Sequence, residues 1–328
     1  MLDSILESLR VISIPTKTNF RSVEHREFAL FEGPRGWGEF APFLEYGTSE
    51  CIPWLVSGIE AASVSPPEAL RSEIEINATL PAVNSREEIA TVLSWFSGCK
   101  TVKIKVGNRL EEDLARIAAV REILPDASIR IDVNGSWNVP DAIHALHAIH
   151  ADGAIEYVEQ PCATIEELRQ LKERLDIPVL IAGDEIVRKS TNPLTIDLTD
   201  AIDILMLKVA PLGGIKRSME IASVHGLPVV VSSALDSAVG ISYGLQLAAS
   251  LPQLDYACGL GTGELLAGDV GLLPVKDGKI SVQTIGPDMS AIRMYEVSPE
   301  RLSWWQQRIR ETWEAGAVDW VAAEGWQW

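Results

Sequence analysis

Thr101-Val102-Lys103-Ile104-Lys105-Val106-Gly107 is the stretch on which the reading of this chain turns. It is rich in β-branched residues and closed by a glycine, so it reads as a strand, and strand side chains alternate between two faces. Lys103 and Lys105 therefore share one face, and Val102, Ile104 and Val106 share the other. On a surface strand two neighbouring lysines mean little. These two acquire meaning from what recurs further along the chain.

From Glu73 onward a short apolar strand is followed by an amphipathic helix, and the cycle repeats. Strands are predicted at 74–80, 101–106, 128–133, 155–158, 178–182, 203–208, 228–232 and 256–260, with helices between them, for example over 108–124, 164–175 and 213–225. Eight strands with seven intervening helices is what a parallel barrel requires. A doubly wound open sheet is disfavoured, because Thr79-Leu80-Pro81-Ala82 stands where a glycine-rich nucleotide turn would follow the first strand.

Residues 1 to 72 lack a regular alternation. Strands are predicted at 9–14, 28–31 and 36–40, a helix over 49–62, and a polar connection from Pro15 to Glu27 that contains Phe20 and Arg21. The tail from Ser298 carries six of the ten tryptophans (Trp304, Trp305, Trp313, Trp320, Trp326, Trp328), bulky groups expected to pin it against the N-terminal segment. The fold expected is α/β: a (β/α)7β TIM-type barrel over 73–285, with an α+β capping domain built from 1–72 and 286–328.

Lys and Arg number 28 against 46 Asp and Glu, a net charge of −18, which repels polyphosphates and anionic lipid. Nucleic acid and membrane surfaces are therefore not expected as partners. The N-terminus has no basic start followed by an apolar run, and Cys51, Cys99, Cys162 and Cys258 show no paired spacing. Together these features describe a cytoplasmic protein with reduced thiols. Nothing marks a self-complementary patch, so a monomer or small homo-oligomer is expected.

The strand exits carry the chemistry. The second strand ends with Lys103 and Lys105, the third with Asp132-Val133-Asn134, the fourth with Glu159-Gln160-Pro161, the fifth with Asp184-Glu185 and the sixth with Lys208. These charges recur with the period of the strand-helix unit. The carboxyl ends of barrel strands open at one mouth, so Asp132, Glu159 and Asp184 would meet there, flanked by lysines. Any one acid could simply cap the helix that follows it, but capping does not account for lysines on both sides of the trio. Three carboxylates converging in one place repel, and a divalent cation relieves this, Mg²⁺ first and Mn²⁺ next for all-oxygen ligation. A lysine beside that charge can act as a base. His144, His147 and His150 spread around one helix away from the mouth and are expected to be surface or packing residues.

With Lys103-Ile104-Lys105, Asp132 and Asn134, Glu159-Gln160-Pro161, Asp184-Glu185 and Lys208 in this order, the chain resembles the enolase superfamily in its muconate lactonising enzyme branch. Ile76-Asn77-Ala78-Thr79, Lys208-Val209-Ala210-Pro211-Leu212-Gly213-Gly214, Ser232-Ser233-Ala234-Leu235-Asp236-Ser237 and Gly259-Leu260-Gly261-Thr262-Gly263 narrow the resemblance to members that aromatise a hydroxycyclohexadiene dicarboxylate in menaquinone biosynthesis. The resemblance implies that Asp132, Glu159 and Asp184 are the Mg²⁺ ligands and that Lys105 takes the α-proton and returns it to the departing hydroxyl. It implies that Lys208 faces the enediolate from the other side and that Lys103 supports Lys105. Ser232, Ser233 and Gly259 become candidates for the succinyl arm, and Arg21 for closing over a substrate carboxylate. Asn134 and Glu185 are expected behind the ligands. The same two lysines would also suit racemisation of an N-succinylamino acid. Gly261-Thr262-Gly263, in place of an Asp-x-Asp pair, argues against dipeptide epimerisation. The residues also leave open a Schiff-base enzyme using Lys208 and a non-catalytic metal-binding barrel.

Overall fold

The computed structural model describes residues 1–20 and 23–328. Strands β1 (Arg10–Phe20), β2 (Val23–Gly33) and β3 (Gly36–Phe40) form an antiparallel sheet in that order. The sheet is buried on both faces, which explains the missing alternation. Ile12, Ile14, Phe28 and Leu30 join the barrel-side core, whereas Val11, Ala29, Phe31 and Phe40 face the helix Thr48–Ser63 and the C-terminal helices. The polar stretch from Pro15 to Glu27 is largely strand. The two strands pair from Arg10↔Leu30 to Pro15↔His25 and again at Phe20↔Val23, with an irregularity between. Pairing with each other satisfies their backbone despite the polar side chains.

The predicted strand at 74–80 is divided. β4 (Glu73–Glu75) pairs antiparallel with β12 (Lys279–Ser281), while β5 (Ala78–Leu80) opens the main sheet. That sheet runs β5, β6 (Thr101–Lys105), β7 (Ser128–Asp132), β8 (Tyr157–Glu159), β9 (Leu180–Gly183), β10 (Ile204–Lys208) and β11 (Val229–Ser232), each parallel to the next. The eighth predicted strand is reduced to two parallel bridges, Ser232↔Gly259 on the edge strand β11 and Ile76↔Cys258 on the residues between β4 and β5. Cys258 N donates to Glu75 O at 2.7 Å and Gly259 N to Val231 O at 2.8 Å. A β-carbon on Gly259 would stand 2.5 Å from Ser232 Oγ and 3.2 Å from Ser232 Cβ, so a larger residue here would force Ser232 to shift.

Helices follow the strands as the periodicity indicates: Leu110–Ile123, Ile165–Arg174 and Ile215–His225 match the three named above. The connection after β9 is the exception, since its helix, Glu185–Arg188, is a single turn. At the other end of the chain, Trp305 on the helix Pro299–Thr312 is fully buried against Phe40, with ring centroids 5.8 Å apart and edge to face. Phe31 meets Trp328 at 5.9 Å. The tail thus packs on the N-terminal segment as expected.

Candidate active site

Parallel register builds one row of charge across the sheet. Lys105 pairs with Asp132, and Asp132 with Glu159. Because strand side chains alternate, Lys103 lies one step below Lys105 on the same face, while Val102 and Ile104 pack outward against the helices. Lys103, Asp132, Glu159, Asp184 and Lys208 are all buried.

The contacts knit these groups together. Lys103 Nζ donates to Glu159 Oε2 at 2.8 Å and stands 3.5 Å from Asp132 Oδ2. Lys105 Nζ donates to Asp132 and, at 2.9 Å, to Asn134 Oδ1. Lys208 Nζ donates to Asp184 Oδ2 at 2.5 Å, and Arg188 Nε to Asp184 Oδ1 at 3.2 Å. Burial by itself would depress the Lys103 ammonium, but Glu159 and Asp132 outweigh it and hold its pKa above the ordinary lysine range. Burial pushes the Glu159 carboxyl up, Asp132 adds to the push, and Lys103 and Lys208 oppose it. Buried charges are costly unless paired, so such a concentration is poor economy for stability alone.

Among the described residues no group of three or more His, Cys, Asp or Glu side chains is placed so that it could hold a metal ion. The donor chemistry nevertheless fits a hard cation. Glu159 Oε1 is buried and has no hydrogen-bond partner among the described residues, and a buried, unpartnered carboxylate oxygen under the negative charges of Asp132 and Asp184 is a group that a divalent ion would satisfy.

Asn134 and Glu185 stand behind the acids. Asn134 accepts from Lys105 and donates through Nδ2 to Glu185 Oε1 at 3.2 Å, and Arg188 Nη2 donates to the same Glu185 oxygen at 2.8 Å. Ser232, Ser233 and Gly259 line one small cavity with Lys103, Lys105, Asp132 and Lys208, closed by Phe20, Phe43, Leu235 and Thr262. Ser233 Oγ donates to Gly259 O at 2.8 Å and meets Thr262 Oγ1 at 2.7 Å, so this serine also fastens the bridge at Gly259. The cavity holds about 20 Å³, room for one water. A second space of about 500 Å³ shares Phe20 and Lys105 as walls, so Phe20 stands between the two. Arg21 lies outside the described residues. His147 pairs with Asp176 at 2.9 Å, away from this site.

Arg188, Gln160 and Phe43 were not anticipated from sequence. Arg188 had a signal, its spacing of four from Asp184 and three from Glu185. Gln160 Oε1 accepts from Asp184 N at 3.0 Å and so orients the exit of β9. Phe43 arrives from the loop that follows β3 and had none.

The sequence matches the Enolase C-terminal domain-like family over residues 87–287 and the Enolase N-terminal domain-like family over residues 11–62. It is 49% identical over 314 residues to o-succinylbenzoate synthase of Mycobacterium leprae (strain TN), covering 94% of this chain and 92% of that protein. The chain belongs to the o-succinylbenzoate synthase family of the enolase superfamily. The o-succinylbenzoate synthase of Mycolicibacterium smegmatis is likewise 49% identical, over 94% of this chain and 96% of its own length. Among solved structures, 2-chloromuconate cycloisomerase from Rhodococcus opacus 1CP superposes with a TM-score of 0.73 at 22% identity. Muconate lactonizing enzyme from Pseudomonas putida does so with 0.72 at 20%. Each covers 88% of this chain and 98% of the other. These neighbours share the fold, which in this chain is an N-terminal domain followed by a parallel sheet of seven strands. Enolase superfamily members act on small molecules with a divalent cation. Among the described residues, no helix is long and apolar enough to cross a membrane.

Proposed function

We propose that this chain catalyses the syn dehydration of 2-succinyl-6-hydroxy-2,4-cyclohexadiene-1-carboxylate to 2-succinylbenzoate, the o-succinylbenzoate synthase step of menaquinone biosynthesis. What carries the reading is that Lys105 and Lys208, two strand-exit ammonium groups four strands apart, line one cavity with Asp132, in a chain nearly half identical to enzymes of that name.

Asp132, Glu159 and Asp184 would hold the cation, Mg²⁺ for preference with Mn²⁺ as substitute, because all three offer hard oxygens. Bound there, it supplies positive charge for the substrate's ring carboxylate. Lys105, entering the step as the neutral amine, takes the proton from the carbon bearing that carboxylate and becomes the ammonium. The electron pair left behind forms the new ring double bond, the C–O bond breaks, and Lys105 returns the proton to the departing hydroxyl as water. One base on one face suffices for syn elimination, and aromatisation drives it. Lys208, on the opposite side, stabilises charge building on the carboxylate oxygens, and Lys103 keeps Asp132 and Glu159 in place around Lys105. Asn134 orients Lys105, and Glu185 supports Asn134. Ser232, Ser233 and the backbone at Gly259 are assigned to the succinyl arm, and Arg21 to a substrate carboxylate as the outer domain closes.

The bridges at Cys258 and Gly259 favour a closed (β/α)7β cylinder over 73–285, capped by 1–72 together with 286–328. With a net charge of −18, the expected setting is the cytoplasm, with a small dicarboxylate as partner, no nucleic acid or membrane surface, and a monomer or small homo-oligomer as the working form. The test is an ultraviolet assay with the cyclohexadiene acid beside a polarimetric assay with an N-succinylamino acid, each with and without Mg²⁺. Mg²⁺-dependent appearance of the aromatic product supports the reading. Turnover of the amino acid alone replaces it with racemisation.

A further inference from the structure

We infer that Arg26, a buried arginine of the outer sheet, is a positioning residue that fixes two walls of the cavity and so sets its fit to the substrate's arm. The inference rests on the proposed dehydration, since it treats the cavity as the substrate's. Arg26 lies on β2, in a stretch read from sequence as a polar connection, yet its side chain is buried. Its guanidinium crosses to the barrel. Nε donates to Leu235 O at 3.3 Å, and Nη2 reaches Ala234 O at 3.5 Å and also donates to Ala41 O. It also lies over the Phe43 ring, 4.3 Å from the centroid.

Ala234, Leu235 and Phe43 all line the cavity, whereas Arg26 does not. One side chain thus ties the turn after β11 to the segment carrying Phe43 without touching the interior. The turn needs holding. Leu235 has φ of +61°, a left-handed conformation that a branched side chain adopts only under constraint. A second outer strand grips the same turn: Glu39 of β3 accepts from Ser237 N at 3.2 Å and from Ser237 Oγ. Asp236 completes the turn by accepting from Ala234 N at 3.1 Å.

The energetics point the same way. A guanidinium taken wholly out of water costs more than an apolar side chain of the same length, so a buried arginine is weak evidence for stability and better evidence for geometry. Burial draws the Arg26 pKa down, with Asp236 and Glu39 holding it up. Arginine's planar fork spans three carbonyls in fixed directions, which lysine's point charge does not.

The test uses the full chain with Mg²⁺ and compares steady-state dehydration by wild type, Arg26→Met and Arg26→Lys, with thermal melts of each. If Arg26 positions the walls, KM for the cyclohexadiene acid rises about tenfold in Arg26→Met and severalfold in Arg26→Lys, while kcat changes less than about threefold. The inhibition constant of 2-succinylbenzoate should rise in parallel. A folded variant whose KM and product inhibition stay within twofold of wild type overturns the inference, whatever its melting temperature. Should Arg26→Met give no cooperative melt, Arg26→Lys decides by the same criterion. Absence of turnover by wild type would instead overturn the dehydration reading, and the inference with it.

Discussion

The barrel mouth and the outer core are both buried, and they are buried for opposite reasons. At the mouth, Lys103, Lys105, Asp132, Glu159, Asp184 and Lys208 are held in mutual ion pairs. In the outer core Trp305, Trp54, Phe31 and Phe40 pack apolar faces together, and the polar edge of Trp305 is satisfied by donating from Nε1 to Glu27 Oε2 at 2.6 Å. Area removed from water stabilises the second region directly. In the first, desolvation offsets most of the attraction between opposite charges. Burial alone therefore does not tell function from stability. The chemistry of what is buried does.

That contrast breaks if substitutions in the two regions behave alike. The largest expected effect is on catalysis. Lys105→Ala and Lys208→Ala should each lower kcat by about 10³-fold or more, in keeping with loss of a positioned acid–base or charge-stabilising group, with circular dichroism and melting little changed. Substantial activity in a folded Lys105→Ala protein would remove it as the base. Next comes stability. Trp305→Ala should cost about 3–5 kcal/mol in denaturant unfolding, while the kinetic constants of the fraction that stays folded remain near wild type. A drop in kcat matching the lysine variants would mean that the outer core shapes the chemistry as well.

The same contrast decides what was legible in the sequence. The shared face of Lys103 and Lys105 follows from strand alternation, and the row through Asp132 and Glu159 from the strand-helix period. Both are local rules, and both hold. The division of 74–80 was hidden because what splits it is β12, some two hundred residues away, pairing with Glu73–Glu75. The length of β1 and β2 was hidden because their polar residues satisfy backbone through each other. Arg26 was unreadable as a buried group for the same reason: composition around it describes a surface, and only the packing of two domains takes it out of water. Phe43 had no local signal at all.

A smaller effect sharpens the account of the mouth itself. Asp184→Asn keeps the shape and removes one charge, and should weaken Mg²⁺ binding by at least about tenfold in a calorimetric titration, by the reasoning that even indirect supports of a metal change affinity 10–100-fold. An unchanged titration would take Asp184 out of the ligand set and leave it a partner of Lys208 and Arg188 only.

The smallest effect concerns an acid that belongs to neither region. Asp269 is partly buried near the start of the helix Ala238–Ser250 and accepts from Ala238 N at 3.0 Å and Val270 N at 2.7 Å. Burial pushes its pKa up to about 6, and these backbone donors recover only part of the loss. Unlike the acids of the mouth, it has no ammonium beside it among the interactions described. Its folded pKa lies above its unfolded value, so its stabilising contribution is complete below about pH 4 and is lost as pH rises through about 6. Between those limits wild type should lose on the order of 2 kcal/mol that Asp269→Asn does not, measured as the difference in their unfolding free energies at each pH. Parallel pH profiles would mean that the helix terminus and the backbone donors stabilise the carboxylate fully, and that a partly buried acid here needs no lysine.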